Sequence, residues 1–315
     1  MDINQLKKLA AEKAVEEVSS DMIVGLGTGS TVQFALEKIS EKIKKGELKN
    51  IQCIPSSNRT EVEALRLGIP LTTLNEAVEW KIEEEKKERR KEEKKEDDIR
   101  KTEDRIQKSE VGSRKSALSS TYPASSIQNP ESLNILHSAF YIDLTIDGAD
   151  EVAVGHPDPD LAYRQTGLSG EGSKQINLIK GGGGALLREK ILAQASKKNI
   201  IIVDESKLSK HLGIKWHVPV EVIQFAVSVE QKYLESLGAK VVKRKKADGS
   251  DYITDENNFI LDADFGEIKN AEELSVLLNQ RAGIVEHGLF IGMTSVLICA
   301  MNDGEIRMQK SECRM

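Results

Sequence analysis

A chain of 315 residues, 39% hydrophobic and 30% charged, has room for one large domain or two smaller ones. Its net charge of −6 argues against the clustered basic surface that non-specific nucleic-acid binding relies on, and no apolar run approaches the ~20 residues needed to span a bilayer, so neither nucleic acid nor membrane is an expected partner. Cys53, Cys299 and Cys313 show no CxxC or zinc-ligand spacing and Met1–Ala10 shows no secretory pattern, so a reducing, cytoplasmic location is expected.

Within residues 3–18, Leu6, Leu9, Ala10, Ala14 and Val18 recur at helical spacing. Met22–Leu26 reads as a short buried strand running into Gly25-Leu-Gly-Thr-Gly-Ser-Thr31, and Val32–Ile43 continues as an amphipathic helix. A second unit follows, with strand Asn50–Ile54, loop Pro55–Asn58 and helix Arg59–Leu67 ended by Gly68; Ile69–Leu74 is a candidate third strand. Strands alternating with helices imply βαβ units and a mostly parallel sheet.

The pattern then breaks. Residues 81–105 hold 22 charged residues in 25, 11 of each sign, which leaves an ordinary 74 in the other 290. This run can form a solvated single helix held by ion pairs four residues apart. Ser109–Asn129 reads as disordered, and 80–136 as a whole reads as a tolerated surface insertion.

Phe140–Ile146 is a strand ending in Asp147-Gly-Ala-Asp-Glu151, and the Gly/Pro/Ser-rich residues 154–174 read as a second loop insertion. Gln175–Ile179 is a strand leading into Lys180-Gly-Gly-Gly-Gly184, followed by helix Ala185–Lys197, strand Asn199–Val203 and Asp204–Lys207. From Pro219 the character is mixed. Val220–Ala226, Ala239–Arg244 and Asn258–Asp262 read as strands, and Ser228–Leu237 and Ala271–Gln280 as helices. Gly283–Ile291 and Ser295–Met301 are apolar, and Asn302-Asp-Gly304 is a hairpin signal before Glu305–Met308.

The expected fold class is therefore α/β, a mostly parallel Rossmann-like sheet with helices on both faces, plus a smaller α+β domain. The expected division places 1–79 and 137–218 in the α/β domain, with 289–315 returning to it, and 219–288 in the small α+β domain.

Four features could carry chemistry. In Gly25–Thr31 the glycines let the backbone approach an anion, the following helix presents unpaired N–H groups, and Ser30 and Thr31 add hydroxyls. A dinucleotide fingerprint would need glycine at 30, so a compact phosphate is favoured, although a plain tight turn explains this loop equally well by itself. Four consecutive glycines in Lys180–Gly184 suggest that a ligand comes close, and Glu189 near the first turn of the next helix is within its reach. Dipole compensation is the competing role for Glu189. Asp147 and Asp150 end a strand, at the sheet edge where open α/β sheets bind ligands; an Asp-Gly turn is the alternative. Lys207 also follows a strand and suits an anionic substrate, or is a solvated lysine, and Lys7 on the first helix is weaker from pattern alone. His137, His156, His211, His217 and His287 form no pair at ligand spacing. Two glycine-rich cradles, several lysines, two aspartates and a glutamate suit proton transfer on a small phosphorylated sugar, with a carboxylate base and positive charge around an enediolate.

The motifs Gly27-Thr-Gly-Ser-Thr31, Asp147-Gly-Ala-Asp-Glu151, Lys180-Gly-Gly-Gly-Gly-Ala185 with Arg188-Glu189-Lys190, Ser206-Lys207, Val218-Pro-Val-Glu-Val222 and Gly288-Leu-Phe290 resemble the ribose-5-phosphate isomerase A family, in that family's order. The similarity covers nearly the whole chain outside 80–136 and 154–174, the two insertions that flank an intact Asp147–Glu151 motif; the Ile-Gly-Met after Phe290 is less typical.

The resemblance implies an aldose–ketose isomerase interconverting ribose 5-phosphate and ribulose 5-phosphate in the non-oxidative pentose phosphate pathway. It implies Glu189 as the base that moves a proton between C1 and C2. It implies Asp147, Asp150 and Lys180 as groups that bind the sugar, assist ring opening and handle the O1/O2 proton. Lys7, Thr28, Gly29, Ser30, Thr31, Gly148, Ala149 and Lys207 match substrate-binding positions, and Gly181, Gly182, Gly183 and Gly184 would offer N–H donors to the oxyanion. The family implies no metal, no nicotinamide or other cofactor, and a homodimer or homotetramer. Two other readings compete: a non-catalytic sugar-phosphate-sensing regulator, which would need a DNA-binding module, and a related enzyme such as an amino-sugar phosphate deaminase. The isomerase reading requires Glu189 to lie beside the Lys180 glycine run or the paired aspartates, because a base must touch the hydrogen it takes.

Overall fold

A computed structural model describes residues 1–110, 141–155 and 175–311. Residues 111–140, 156–174 and 312–315 lie outside this description, and with them the expected disordered Ser-rich stretch beyond 110, most of the second loop insertion, His137, His156 and Cys313. The chain divides into two compact units, Met1–Thr72 with Ile142–Met315, and Thr73–Tyr141.

The first unit begins with helix α1 (Ile3–Val15), whose start is closed by reciprocal bonds between Asp2 and Gln5. Strand β1 (Ile23–Leu26), helix α2 (Ser30–Lys44), strand β2 (Gln52–Pro55) and helix α3 (Asn58–Leu67) follow, α3 being ended by Gly68 in the left-handed conformation. Residues 69–72 do not form the expected third strand. Only Leu71 bridges Cys53, and Pro70, which has no N–H, cannot continue a ladder.

Beyond the second unit come β3 (Leu144–Asp147), β4 (Glu151–Gly155), β5 (Gln175–Ile179), β6 (Asn199–Asp204), the two-residue β7 (Leu208–Ser209) and β8 (Val218–Val222). Strands β9 (Lys240–Lys243), β10 (Phe259–Asp264), β11 (Ile284–His287), β12 (Leu289–Ile291), β13 (Val296–Ala300) and β14 (Ile306–Lys310) complete the set. The central sheet has the order β14-β13-β6-β3-β1-β2 and is parallel except for β14, which pairs antiparallel with β13 across the Asn302–Gly304 turn.

Alternation along β6 and β13 separates the two faces of this sheet. Ile200, Ile202, Val296 and Ile298 join the cluster formed with α1 and α2, through residues such as Ala10, Ala14 and Ile39. Ile201, Val203, Leu297 and Cys299 join Ala193, Val152, Ile176, Leu178 and Phe290 on the other face. That second face is covered by helix Leu186–Gln194 and by a small sheet of order β12-β5-β4-β7. Local patterning does not reveal this small sheet, because β4 is five residues long and its antiparallel partner β5 lies beyond 156–174.

A third, antiparallel sheet, β11-β8-β10-β9, packs Val220, Val222 and Leu261 against Leu234 and Leu278 of helices Val227–Ser236 and Ala271–Asn279. The apolar run expected over Gly283–Ile291 is two strands in different sheets. The chain crosses between them at Gly288, where a Cβ would lie 2.3 Å from the Lys180 carbonyl oxygen.

The second unit contains helix α4 (Leu74–Glu110), which includes the charged run. Thr73 and Glu76 exchange hydrogen bonds at its start, with 3.0 Å from the Thr73 N–H to Glu76 Oε2 and 3.2 Å from the Glu76 N–H to Thr73 Oγ1. The remaining helices are numbered α5 (Leu186–Gln194), α6 (Val227–Ser236) and α7 (Ala271–Asn279).

Candidate active site

The C-terminal ends of the parallel strands β1 and β3 lie side by side, so the loops that follow them meet. Sterics require glycine in the first loop. A Cβ at Gly27 would sit 2.0 Å from Asp147 Oδ1. In its absence Asp147 Oδ1 accepts the N–H groups of Thr28 at 3.2 Å and Gly148 at 2.7 Å. Thr28 Oγ1 lies 2.9, 2.8 and 3.1 Å from the hydroxyls of Ser56, Ser57 and Thr60, and Thr60 in turn donates to the Gly27 carbonyl. Gly29 opens α2 without a side-chain cap, so no side chain satisfies its first-turn N–H groups, the kind of helix start at which an anion can bind. The Lys7 ammonium reaches this turn, donating to Ser30 Oγ at 2.9 Å.

The second glycine loop leaves β5 and enters α5, another helix without a side-chain cap. Its first residue, Lys180, is 3% exposed. The Lys180 ammonium lies 2.9 Å from Asp147 Oδ2, 3.4 Å from Glu189 Oε2 and 2.7 Å from the Gly148 carbonyl. Asp150 Oδ2 accepts the Gly182 N–H at 2.7 Å. A Cβ at Gly183 would lie 3.4 Å from Thr28 Cγ2, so the two glycine loops face each other.

Glu189 occupies the first turn of α5 and is 4% exposed, and its Oε2 has no hydrogen-bond partner among the described residues. Burial raises its carboxyl to about 8; Lys180 opposes the rise, while Asp147 and Asp150 add to it. Burial also raises Asp147, against the charge of Lys180 and its two N–H donors. Burial disfavours the Lys180 charge, but Asp147 and Glu189 outweigh it and hold the ammonium above its ordinary range. The cluster is thus a fixed cation between two buried carboxyls, of which Glu189 has the cation beside its Oε2. Such a carboxylate, once ionised, is a stronger base than a solvated one.

Next to Glu189 in the chain, Lys190 is also buried, and its ammonium lies over the Phe290 ring that Lys180 also faces. It donates to Glu286 Oε1 at 2.5 Å and to the His287 carbonyl at 2.6 Å, anchoring α5 to the β11–β12 crossing. Burial, followed by the Lys190 charge, lowers the His287 imidazole to about 3, so this histidine is neutral. Among the described residues no group of three or more His, Cys, Asp or Glu side chains could hold a metal ion, and no helix is long and apolar enough to cross a membrane.

The family model of ribose 5-phosphate isomerase A (phosphoriboisomerase A) matches residues 170–304. A ribose-5-phosphate isomerase A from Desulfatibacillum aliphaticivorans is 44% identical over 306 residues, covering 97% of each chain. The chain belongs to the ribose-5-phosphate isomerase A family. The Chloroflexus aurantiacus member is 36% identical, over 98% of this chain and 94% of its own. Among solved structures, ribose 5-phosphate isomerase from Plasmodium falciparum superposes with a TM-score of 0.69 at 32% identity, over 98% of this chain and all of that one. A D-ribose-5-phosphate isomerase in complex with phospho-erythronic acid gives 0.68 at 27% identity, with the same coverage.

Within this ribose-5-phosphate isomerase A fold, Thr28, Asp147, Gly148, Asp150, Lys180, Gly182, Gly183 and Glu189 converge, and Lys7 joins through Ser30. Lys207 lies just beyond the end of β6, its ammonium 5.4 Å from the Trp216 ring centroid. Ala149 packs at the edge of the cluster beneath the small mixed sheet. Sequence reasoning missed Ser56, Ser57 and Thr60. Their signal was present: Ser56 and Ser57 follow a parallel strand at its C-terminal end, as the other loops do.

Proposed function

We propose that this chain interconverts D-ribose 5-phosphate and D-ribulose 5-phosphate by moving one proton between C1 and C2. The observation that carries this reading is the approach of Lys180 to both Asp147 and Glu189 in a buried cluster between two glycine loops. In this mechanism Glu189 takes the C2 hydrogen of the open-chain aldose and returns it to C1. Lys180 neutralises the enediolate oxygens. Asp147 and Asp150 hold hydroxyls, assist ring opening and pass the O1/O2 proton. Lys7 and the first turn of α2, with Thr28–Thr31, bind the phosphate end, and Gly148, Ala149 and Lys207 complete the substrate contacts. Phospho-erythronic acid, bound by a relative, supports the assignment. Its carboxylate places two oxygens on one carbon, as an enediolate spreads charge over O1 and O2.

Two further elements belong to this proposal. Cytoplasmic residence fits the free, buried thiols of Cys53 and Cys299. Self-association as a homodimer or homotetramer fits the 98% exposure of Phe225 and the exposed Ile223 and Val229 in the same segment.

A coupled assay with ribose 5-phosphate in the presence of a chelator tests the reaction. Ribulose 5-phosphate must form at an undiminished rate. Release of ammonia from amino-sugar phosphates without isomerisation would support the deaminase reading, and specific DNA binding without turnover the regulator.

A further inference from the structure

Every trans peptide ties a carbonyl to the N–H that follows it, pointing the opposite way. In the Lys180–Gly184 loop the carbonyls are held from outside. Arg244, just after β9, donates from Nη1 to the Gly181 carbonyl at 2.9 Å and to the Gly182 carbonyl at 3.1 Å. The Tyr252 hydroxyl donates to the Gly183 carbonyl at 3.1 Å. Three consecutive carbonyls are therefore turned toward two side chains more than 60 residues away in sequence.

The consequences for the amides differ. The Gly182 N–H goes to Asp150 and the Gly184 N–H to the Gly181 carbonyl. The Gly183 N–H, which follows the Gly182 carbonyl, has no acceptor among the described residues, and Gly183 faces Thr28 across the cleft. Arg244 is itself held. Its Nε donates to Asp262 Oδ2 at 2.9 Å, a second bond joins Nη2 to Oδ1, and His217 Nε2 lies 3.0 Å from the same carboxylate. The Tyr252 hydroxyl also fills the space a side chain at Gly184 would need, 2.1 Å from a Cβ there. The arginine fork is pre-organised by its carboxylate, so it can fix the loop with little loss of side-chain freedom.

We propose that Arg244, by holding the Gly182 carbonyl, and Tyr252, by fixing the peptide that follows Gly183, are positioning residues that keep the Gly183 N–H aimed at the developing oxyanion. This rests on the isomerase reading and names the groups that make its glycine loop competent. The amide would bind the enediolate more strongly than the neutral sugar, so its misalignment acts on kcat rather than on KM.

The test uses the full chain as wild type, Arg244→Lys and Tyr252→Phe. Lysine keeps the charge beside Asp262 but loses the fork; phenylalanine removes one hydroxyl and folds even if the arginine variant does not. The kcat is expected to fall about tenfold or more in Arg244→Lys and about threefold in Tyr252→Phe, with KM within about twofold. Affinity for phospho-erythronic acid should fall in step with kcat. Retained kcat in both variants, or a rise in KM with kcat unchanged, overturns the proposal. A wild type unable to isomerise ribose 5-phosphate overturns the underlying isomerase reading instead, and that result is read before either variant.

Discussion

Lys180 and Glu189, nine positions apart across the glycine loop, bury their charged ends 3.4 Å from each other. The lysine also holds Asp147 at 2.9 Å, so one ammonium serves two carboxyls with almost no solvent around them. A cation in this position lets an enediolate form next to an acid without a new charge being left uncompensated.

Glu189→Gln keeps the size of the side chain and removes its basicity. The kcat should fall by about a thousandfold, within the span of general-base contributions, while phospho-erythronic acid still binds. Steady-state kinetics and calorimetric titration of the variant check both parts, and substantial residual turnover would refute the assignment of the base.

The pH dependence has a definite sign. Glu189 must be ionised to accept a proton, and its carboxyl is raised from 4.5 to about 8. The acid limb of kcat/KM should therefore lie well above pH 4.5, toward about 8. Asp150 is one of the charges that raise it, so Asp150→Asn should move that limb to lower pH even as it lowers the maximal rate. A pH–rate profile of both proteins decides; an unmoved or upward-shifted limb contradicts the electrostatic account.

Lys180→Met leaves two buried carboxyls facing each other without their cation. Breaking a buried ion cluster from one side costs about 3–5 kcal/mol. Lys180 lowers both Asp147 and Glu189, so without it both titrate higher in the folded state than in the unfolded chain. Stability from such groups is present below their unfolded values and is lost as pH rises through the folded ones. Urea unfolding should show a larger deficit, relative to wild type, at pH 8 than at pH 5.

Gly27→Ala places a Cβ within 2.0 Å of Asp147 Oδ1, whereas Gly25→Ala places one equally close to the Thr145 hydroxyl. Both overpack and should cost about 1–3 kcal/mol. Only Gly27→Ala displaces a carboxyl that touches Lys180, so only it should lower kcat strongly, by about tenfold or more in stable, folded protein. Thermal midpoints and kcat for the pair separate the two effects.

Much of this site was legible because it is written locally. Asp147 and Asp150 close a strand, the glycines of both loops stand between strand and helix, and Glu189 falls in the first turn of that helix. Each of these follows from chain order and the geometry of a parallel sheet. Ser56 and Ser57 could have been read by the same rule. Arg244 and Tyr252 could not. They belong to a different sheet's edge, and nothing near residue 244 or 252 marks them as partners of Gly181–Gly183. The small sheet of β12, β5, β4 and β7 was equally hidden, since its pairing joins strands separated by stretches of unrelated composition. Glu151 is a similar case: it ends the aspartate motif, yet its carboxylate accepts the N–H groups of Gly213, Lys215 and Trp216 more than 60 residues on.

From its amino acids alone this protein declared a strand–glycine–helix order, a set of acids and lysines, and through their arrangement a family. Folding decided which carboxyls are buried, which cation faces them and which amide stays free. Those properties are energies of burial and separation, and burial and separation exist only once segments remote in the chain have packed together.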